Sequence, residues 1–300
     1  NLSSVMKEEI SKFQSWLLAS RPKTLLASVV PVMVGTALGI NVGRFSVLIS
    51  IVALICSLLI QIGTNFTNDL YDYNKGADTA ARKGPVRVLS AGLISVKEIK
   101  TGIIITFLSA FILGLYLVYV GGIIILIIGV LSIAAGIAYT AGPYPLAYRG
   151  LGDIFVFMFF GLIGTMGTFY LHTNEISLPA FLSAIPVGSL ITNILVVNNY
   201  RDIEEDRIAG KNTLAVKLGK TFTQYQFVFL IATSFLTPLA LFLFFNFTIW
   251  IFLPYLTLPV AYNITKMLFT LDGIHLNKTL EMTARLSALY GILFSAGLVL

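Results

Sequence analysis

Stretches of about 20 predominantly apolar residues recur from one end of this chain to the other, each long enough to carry a helix through the hydrocarbon core of a bilayer. No other feature restricts the fold as tightly. Within hydrocarbon every backbone N–H and C=O must find a partner inside the protein, so only helices and closed barrels can cross. Barrel strands alternate apolar and polar side chains, whereas the runs here are continuous, as at 123–128. The sequence therefore predicts an all-α integral membrane protein. With 57% hydrophobic and 11% charged residues it lies outside the range of soluble domains, which argues the same way.

Nine spans can be placed, at 24–42, 45–66, 99–119, 122–140, 153–172, 178–198, 224–244, 248–268 and 284–300. Residues 1–23 are polar and mildly amphipathic, with Ile10, Phe13, Trp16 and Leu17 among Lys7, Lys12 and Arg21, and are expected to form an interfacial segment on the bilayer. No short apolar core with a small-residue cleavage site follows a basic start, so no cleaved signal peptide is expected. The single Cys56 lies in an apolar run and excludes both a disulfide framework and a thiolate cluster. The formal charge of +6 does not imply nucleic acid, because the basic residues flank the apolar runs. Nineteen of the 20 Lys and Arg fall in connections on one side of this topology and only Arg44 on the other. The positive-inside rule then puts the longer connections in the cytoplasm. A bacterial inner membrane is the expected location.

Half of the 14 acidic residues sit in two short segments at the ends of the second and sixth runs: Asp69, Asp72 and Asp78 in one, Asp202, Glu204, Glu205 and Asp206 in the other. In the first, Asn65, Asn68, Asp69 and Asp72 recur at three- and four-residue spacing, which stacks them on one helix face. Like charges so placed repel unless a cation lies between them. Carboxylate and amide oxygens without nearby His or Cys favour a hard ion, Mg²⁺ before Ca²⁺ or Zn²⁺, and Mg²⁺ typically shares its coordination with substrate phosphates. Lys75, Arg82, Lys83 and Arg87 accompany the first segment, Arg201, Arg207 and Lys211 lie in or after the second, and together they suit phosphate oxygens. Taken singly, such charges are often only the solvated cap of a span. Asp69 and Asp202 are 133 residues and four spans apart, so two four-helix halves, 24–140 and 153–268, followed by a last helix 284–300, form the expected single domain.

The run Asn-Asp-Leu-Tyr-Asp-Tyr-Asn-Lys-Gly-Ala-Asp at 68–78 resembles the first aspartate-rich motif of the UbiA superfamily of intramembrane prenyltransferases, and Asn-Tyr-Arg-Asp-Ile-Glu-Glu-Asp at 199–206 resembles the second. Arg-Pro-Lys-Thr at 21–24, Gly-Pro-Val-Arg-Val-Leu-Ser-Ala-Gly at 84–92, Tyr-Thr-Ala-Gly-Pro-Tyr-Pro-Leu at 139–146 and Ala-Gly-Lys-Asn-Thr-Leu-Ala-Val at 209–216 look like the MenA-like branch, which prenylates 1,4-dihydroxy-2-naphthoate on the way to menaquinone. The resemblance implies a horseshoe bundle of nine transmembrane helices around a central cavity. It implies two Mg²⁺ ions bridging the diphosphate of a polyprenyl diphosphate, one held by Asp69 and Asp72 with Asn65 and Asn68, the other by Asp202 and Asp206. Lys75, Arg87, Arg201 and Lys211 would neutralise the leaving group, and the prenyl chain would replace the acceptor carboxylate with loss of CO₂. Asp78 would orient or deprotonate the acceptor or support a metal ligand. Tyr71 and Tyr139 are candidates to face the allylic cation, and Arg21 to meet the acceptor carboxylate or to anchor the interface. Asp153 is read as an ordinary helix-start acid.

Two other readings stay open on the sequence. A secondary transporter also uses acids and repeats, although it would place ionisable groups near the midplane, where these spans have almost none. The same fold could prenylate another aromatic acceptor such as 4-hydroxybenzoate.

Overall fold

The computed structural model describes residues 10–76 and 87–300. Among them regular structure is helical throughout, without strands. A short helix α1, Lys12–Ser20, begins with a capping box in which Ser11 and Gln14 satisfy each other's backbone N–H groups. It is followed by α2 (Pro22–Asn41), α3 (Val47–Asn74) and α4 (Val96–Ala138). Beyond a short 3₁₀ turn at Leu146–Arg149 come α5 (Gly152–Thr173, π-helical over Phe157–Ile163), α6 (Leu178–Arg201) and α7 (Ile203–Ile208). The chain ends with α8 (Leu214–Phe245), a 3₁₀ run Ile249–Thr257 leading directly into α9 (Leu258–Thr270), and α10 (Leu276–Val299).

Helix α4 has 43 residues, and a straight helix of that length would measure about 65 Å, twice the thickness of a bilayer core. It does not run straight. Gly122 sits at φ 67°, ψ −158°, a conformation that suits glycine alone. Phe107 and Gly136, 29 residues apart in sequence, are neighbours, the Phe107 ring lying 3.8 Å from where a Cβ on Gly136 would stand. The chain thus doubles back at Gly122 into two legs that match the spans expected at 99–119 and 122–140. Among the described residues seven helices are long and apolar enough to cross a membrane. One of the seven, α4, covers two of the expected spans, while the span expected at 248–268 is divided between the 3₁₀ run and α9 and is not one of the seven.

The apolar core runs between α2, α6, α8, α9 and α10 and includes Val34, Leu190, Phe227, Ile264 and Phe294, while Ile104, Ile112, Phe229 and Leu243 point outward, as side chains facing lipid should. The last helix, α10, packs against α2, so the two ends of the bundle meet. At the crossing of α5 and α6 a Cβ on Gly161 would stand 2.6 Å from the Cα of Gly188, so the backbones touch only because both residues lack side chains.

Arg44, between α2 and α3, donates to Glu175 Oε1 at 2.6 Å and to the Thr173 carbonyl at 2.8 Å, between α5 and α6. These two connections therefore share one end of the bundle. Helices α3 and α6 both start there and finish at the opposite end, which carries both acidic segments. Helices α2, α3, α4 and α5 enclose an apolar cavity of about 320 Å³, lined by residues such as Ala53, Ile60, Leu117, Ile125, Phe159 and Leu171, with Asn68 and Tyr139 also in its wall.

Candidate functional site

The last two turns of α3 bring Asn65, Asn68, Asp69 and Asp72 onto one inward face, all buried, with Asp69 1% and Asp72 2% exposed. Burying carboxylates costs several kcal/mol apiece unless cations or donors compensate, and cations converge here from distant parts of the chain. Both Arg21 and Arg87 pair with Asp69 Oδ1. Arg87 also reaches Asp72 Oδ2 at 3.0 Å, and the Tyr148 hydroxyl donates to Asp72 Oδ1 at 2.8 Å. Lys211, which follows the second acidic segment, places Nζ 3.6 Å from Asp72 Oδ1. The two segments, far apart in sequence, thus meet at one place.

Tyr148 sits at the junction. Lys75 Nζ lies 3.9 Å and Lys211 Nζ 5.0 Å from its ring centre, within cation–π range. Lys75 also donates to the Thr140 carbonyl at 3.0 Å, while the Thr140 hydroxyl donates to Asn68 Oδ1 at 2.8 Å. Burial first, and the neighbouring Lys211 charge as well, push the Lys75 ammonium below the usual lysine pKa, against the opposing pull of Asp72.

In the second segment Asp202 and Asp206 are 7% and 9% exposed. Arg201 grips Asp202 with two parallel bonds, Nε to Oδ1 at 2.6 Å and Nη2 to Oδ2 at 2.7 Å. Its remaining donors go to Asn198 Oδ1 (2.9 Å) and Asn277 Oδ1 (2.6 Å). In this state Arg201 is committed to protein oxygens.

Arg21 links α1 to α2 in the left-handed region, φ 52° and ψ 68°, unusual for a residue with a side chain. Three contacts hold it there: its own ion pair with Asp69, and the Asn65 amide donating to the Ser20 carbonyl (2.9 Å) and to Thr24 Oγ1 (3.2 Å). Asn65 therefore uses its amide nitrogen on this link. Tyr139 lines the cavity as expected of a residue facing substrate. Tyr71 packs instead with the apolar cluster of Phe66, Val88 and Leu89 and is not among the cavity-lining residues. Asp78 lies outside the described residues.

Sequence reasoning did not find Tyr148, Thr140 or Asn277. Each reaches its partner across more than 70 residues of chain, and no local spacing marks such a pairing. Asp153, expected to be a helix-start acid, is buried and accepts from Gln226 Nε2 at 3.0 Å and Asn199 Nδ2 at 3.4 Å.

Among the described residues no three His, Cys, Asp or Glu side chains are grouped to hold a metal by themselves. Pairs of carboxylates with amide oxygens nearby do fit Mg²⁺, which accepts few protein ligands and fills its octahedron from water and phosphate. The cations now on Asp69 and Asp72 show that this pocket stabilises positive charge.

Residues 28–278 match the model of the UbiA prenyltransferase family. The chain belongs to that family. It is a membrane-embedded prenyltransferase, and its relatives are consistent. The chain is 38% identical to the 1,4-dihydroxy-2-naphthoate octaprenyltransferase of Escherichia coli, over 98% of both chains. It is 41% identical to the protein of the same name from Haemophilus influenzae, over 69% of this chain and 70% of the relative. Among solved structures, the apo UbiA homolog from Aeropyrum pernix superposes with a TM-score of 0.70 at 15% identity, covering 93% of this chain and 98% of that one. A UbiA homolog from Archaeoglobus fulgidus, bound to DMAPP and Mg²⁺, superposes with a TM-score of 0.64 at 17% identity, covering 94% and 99%. At such identities the structural likeness establishes the fold. Asn68, beside Asp69 in the first acidic segment, lines the cavity that this fold encloses.

Proposed function

We propose that this protein transfers a polyprenyl group from polyprenyl diphosphate to 1,4-dihydroxy-2-naphthoate, with loss of CO₂, in menaquinone biosynthesis. One observation carries the reading: two acidic segments with their attendant Arg and Lys side chains converge, through Tyr148 and Lys211, over an apolar cavity. A charged head group and a hydrocarbon tail fit this pairing of environments. The acceptor follows from the names of the relatives at 38–41% identity.

Asp69 and Asp72, with Asn68 and Asn65, would hold one Mg²⁺, and Asp202 with Asp206 the second. Bound there, the metal would supply electrostatic stabilisation of the departing diphosphate. Arg87, Lys75 and Lys211 lie where they can turn from carboxylate or ring partners to diphosphate oxygens as negative charge moves onto the leaving group. Arg201, held on Asp202, would fix that carboxylate's orientation. The apolar walls exclude water from the allylic cation, and the acceptor carbon attacks it. The Tyr139 ring in the cavity wall is positioned to stabilise the cation. Asp78 remains a candidate for orienting or deprotonating the acceptor, and Arg21, once released from Asp69, for its carboxylate.

We place the protein in a bacterial inner membrane with the site on the cytoplasmic face, and divide the domain into halves 24–140 and 153–268 with 284–300 added. The deciding experiment incubates purified protein with radiolabelled polyprenyl diphosphate and 1,4-dihydroxy-2-naphthoate, in Mg²⁺ and in EDTA. Metal-dependent formation of a prenylated, decarboxylated naphthoquinol supports the reading. Transfer to 4-hydroxybenzoate alone would keep the chemistry and remove the acceptor, and inactivity of folded protein with every aromatic acceptor would remove the function.

A further inference from the structure

Four polar side chains line the cavity along one face of α3: Ser57, Gln61, Thr64 and Asn68. Three have partners. Ser57 donates to the Ser28 carbonyl at 3.1 Å, Thr64 to its own helix at Ile60 at 2.8 Å, and Asn68 accepts from Thr140. Gln61 lines the same cavity and makes no hydrogen bond among the described residues, and its amide atoms keep accessible surface.

The second leg of α4 runs beside α3 in a register set by two contacts, Thr140 with Asn68 and Gly136 against Thr64. Continuing that register by one more helical turn brings Ser132 level with Ile60, within one residue of Gln61. Ser132 also lines the cavity and makes no hydrogen bond among the described residues. Two polar side chains from different helices, neither hydrogen-bonded among the described residues, therefore stand within one residue of the same depth in a mainly apolar chamber. That depth is seven residues below Asn68, about 10 Å along the helix, which leaves room between them and the acidic mouth for one aromatic ring.

A polar group facing hydrocarbon is unfavourable unless a ligand supplies its hydrogen bond. A prenyl tail offers none. The aromatic acceptor has hydroxyl groups, and in 1,4-dihydroxy-2-naphthoate the 1-hydroxyl is occupied by the adjacent carboxylate, leaving the 4-hydroxyl free. We propose that Gln61 and Ser132 form the acceptor-recognition pair, binding the ring hydroxyl that lies away from the carboxylate and so fixing which aromatic acceptor the enzyme takes. This rests on the prenyl-transfer reading above and adds to it the residues that select the acceptor.

The test is steady-state kinetics of wild type, Gln61→Leu, Gln61→Met and Ser132→Ala, each first checked for an unchanged melting temperature. KM for the naphthoate should rise about tenfold or more in either Gln61 variant and severalfold in Ser132→Ala, while KM for the prenyl diphosphate stays within twofold. With 1-hydroxy-2-naphthoate, which lacks the 4-hydroxyl, wild type and Gln61→Leu should differ by less than twofold, a signature that general damage to the cavity would not produce. An unchanged naphthoate KM, a rise in the prenyl diphosphate KM instead, or an equal loss with both naphthoates would overturn the assignment. If wild type prenylates a different phenol, the acceptor of the proposed function falls and the pair is judged by the same KM comparison on that phenol. Wild type inactive on every phenol removes both.

Discussion

Arg87→Met tests whether the protein's own cations occupy the place meant for the metal. Arg87 bridges two buried carboxylates, Asp69 through Nη1 and Asp72 through Nη2 at 3.0 Å. Removing one partner of a buried pair costs roughly 3–5 kcal/mol. The lower end applies, because Asp69 keeps Arg21, and Asp72 keeps Tyr148 and Lys211. About 3 kcal/mol, at about 2 °C per kcal/mol for a chain of this size, lowers the melting temperature by about 6 °C. Mg²⁺ acts oppositely in the variant. At a hundred times its Kd a bound ion contributes about 2.7 kcal/mol, close to what the arginine supplied, and in wild type it must first displace Arg87. Melting curves in detergent should therefore show a gap of about 6 °C in EDTA that closes to less than about 1 °C at a hundred times the Mg²⁺ Kd, while turnover stays low for want of the phosphate-binding arginine. A gap of equal size with and without Mg²⁺ would refute the idea that the two cations share these carboxylates.

Tyr148→Phe keeps the ring beneath Lys75 and Lys211 and deletes the hydroxyl on Asp72; because that bond is to a carboxylate, stability should fall by about 1.5–3 kcal/mol, while kcat/KM falls about tenfold, read by the prenyl transfer assay. Because the Lys75 pKa is lowered, its charge is lost sooner than an ordinary lysine's as pH rises, so the KM for prenyl diphosphate should increase on the alkaline side. Lys75→Arg, charged throughout, should flatten that limb in a pH–KM profile. Gly161→Val would drive a side chain into the Gly188 backbone; overpacking of this kind costs about 1–3 kcal/mol or more, visible as a lower melting temperature with Mg²⁺ affinity unchanged.

Features carried by local pattern were legible before any coordinates. Continuous apolar runs gave the spans because hydrocarbon leaves the backbone no alternative to helix, and the break between 119 and 122 coincides with Gly122, where a polar linker is absent but a positive φ is needed. The three- and four-residue spacing placed Asn65, Asn68, Asp69 and Asp72 on one face correctly. What spacing cannot express is which distant group compensates a buried charge. Tyr148 on Asp72 and Asn277 on Arg201 are set by how helices pack, not by neighbours in the chain. Arg21, expected to meet the acceptor carboxylate or to anchor the interface, and Arg201, expected to neutralise the leaving group, both rest on carboxylates here. Residue type alone does not say whether an arginine is waiting for a phosphate or already has an anion.

The link at Arg21 also bears on the order in which the chain can assemble. Residues 20, 21 and 24 are fastened by Asn65 and Asp69, and Trp16 of α1 stacks edge-on against Phe66, 5.3 Å between ring centres, and crowds Gly102 on α4. All these anchors are synthesised some 40 to 90 residues after the segment they hold. During translation α1 therefore lacks these anchors, with only its contacts to α2 to hold it, and must wait at the bilayer surface. It can seat only after α3 and the first leg of α4 are in the membrane, which makes its docking a late event and Trp16 fluorescence a natural clock for completion of the fold.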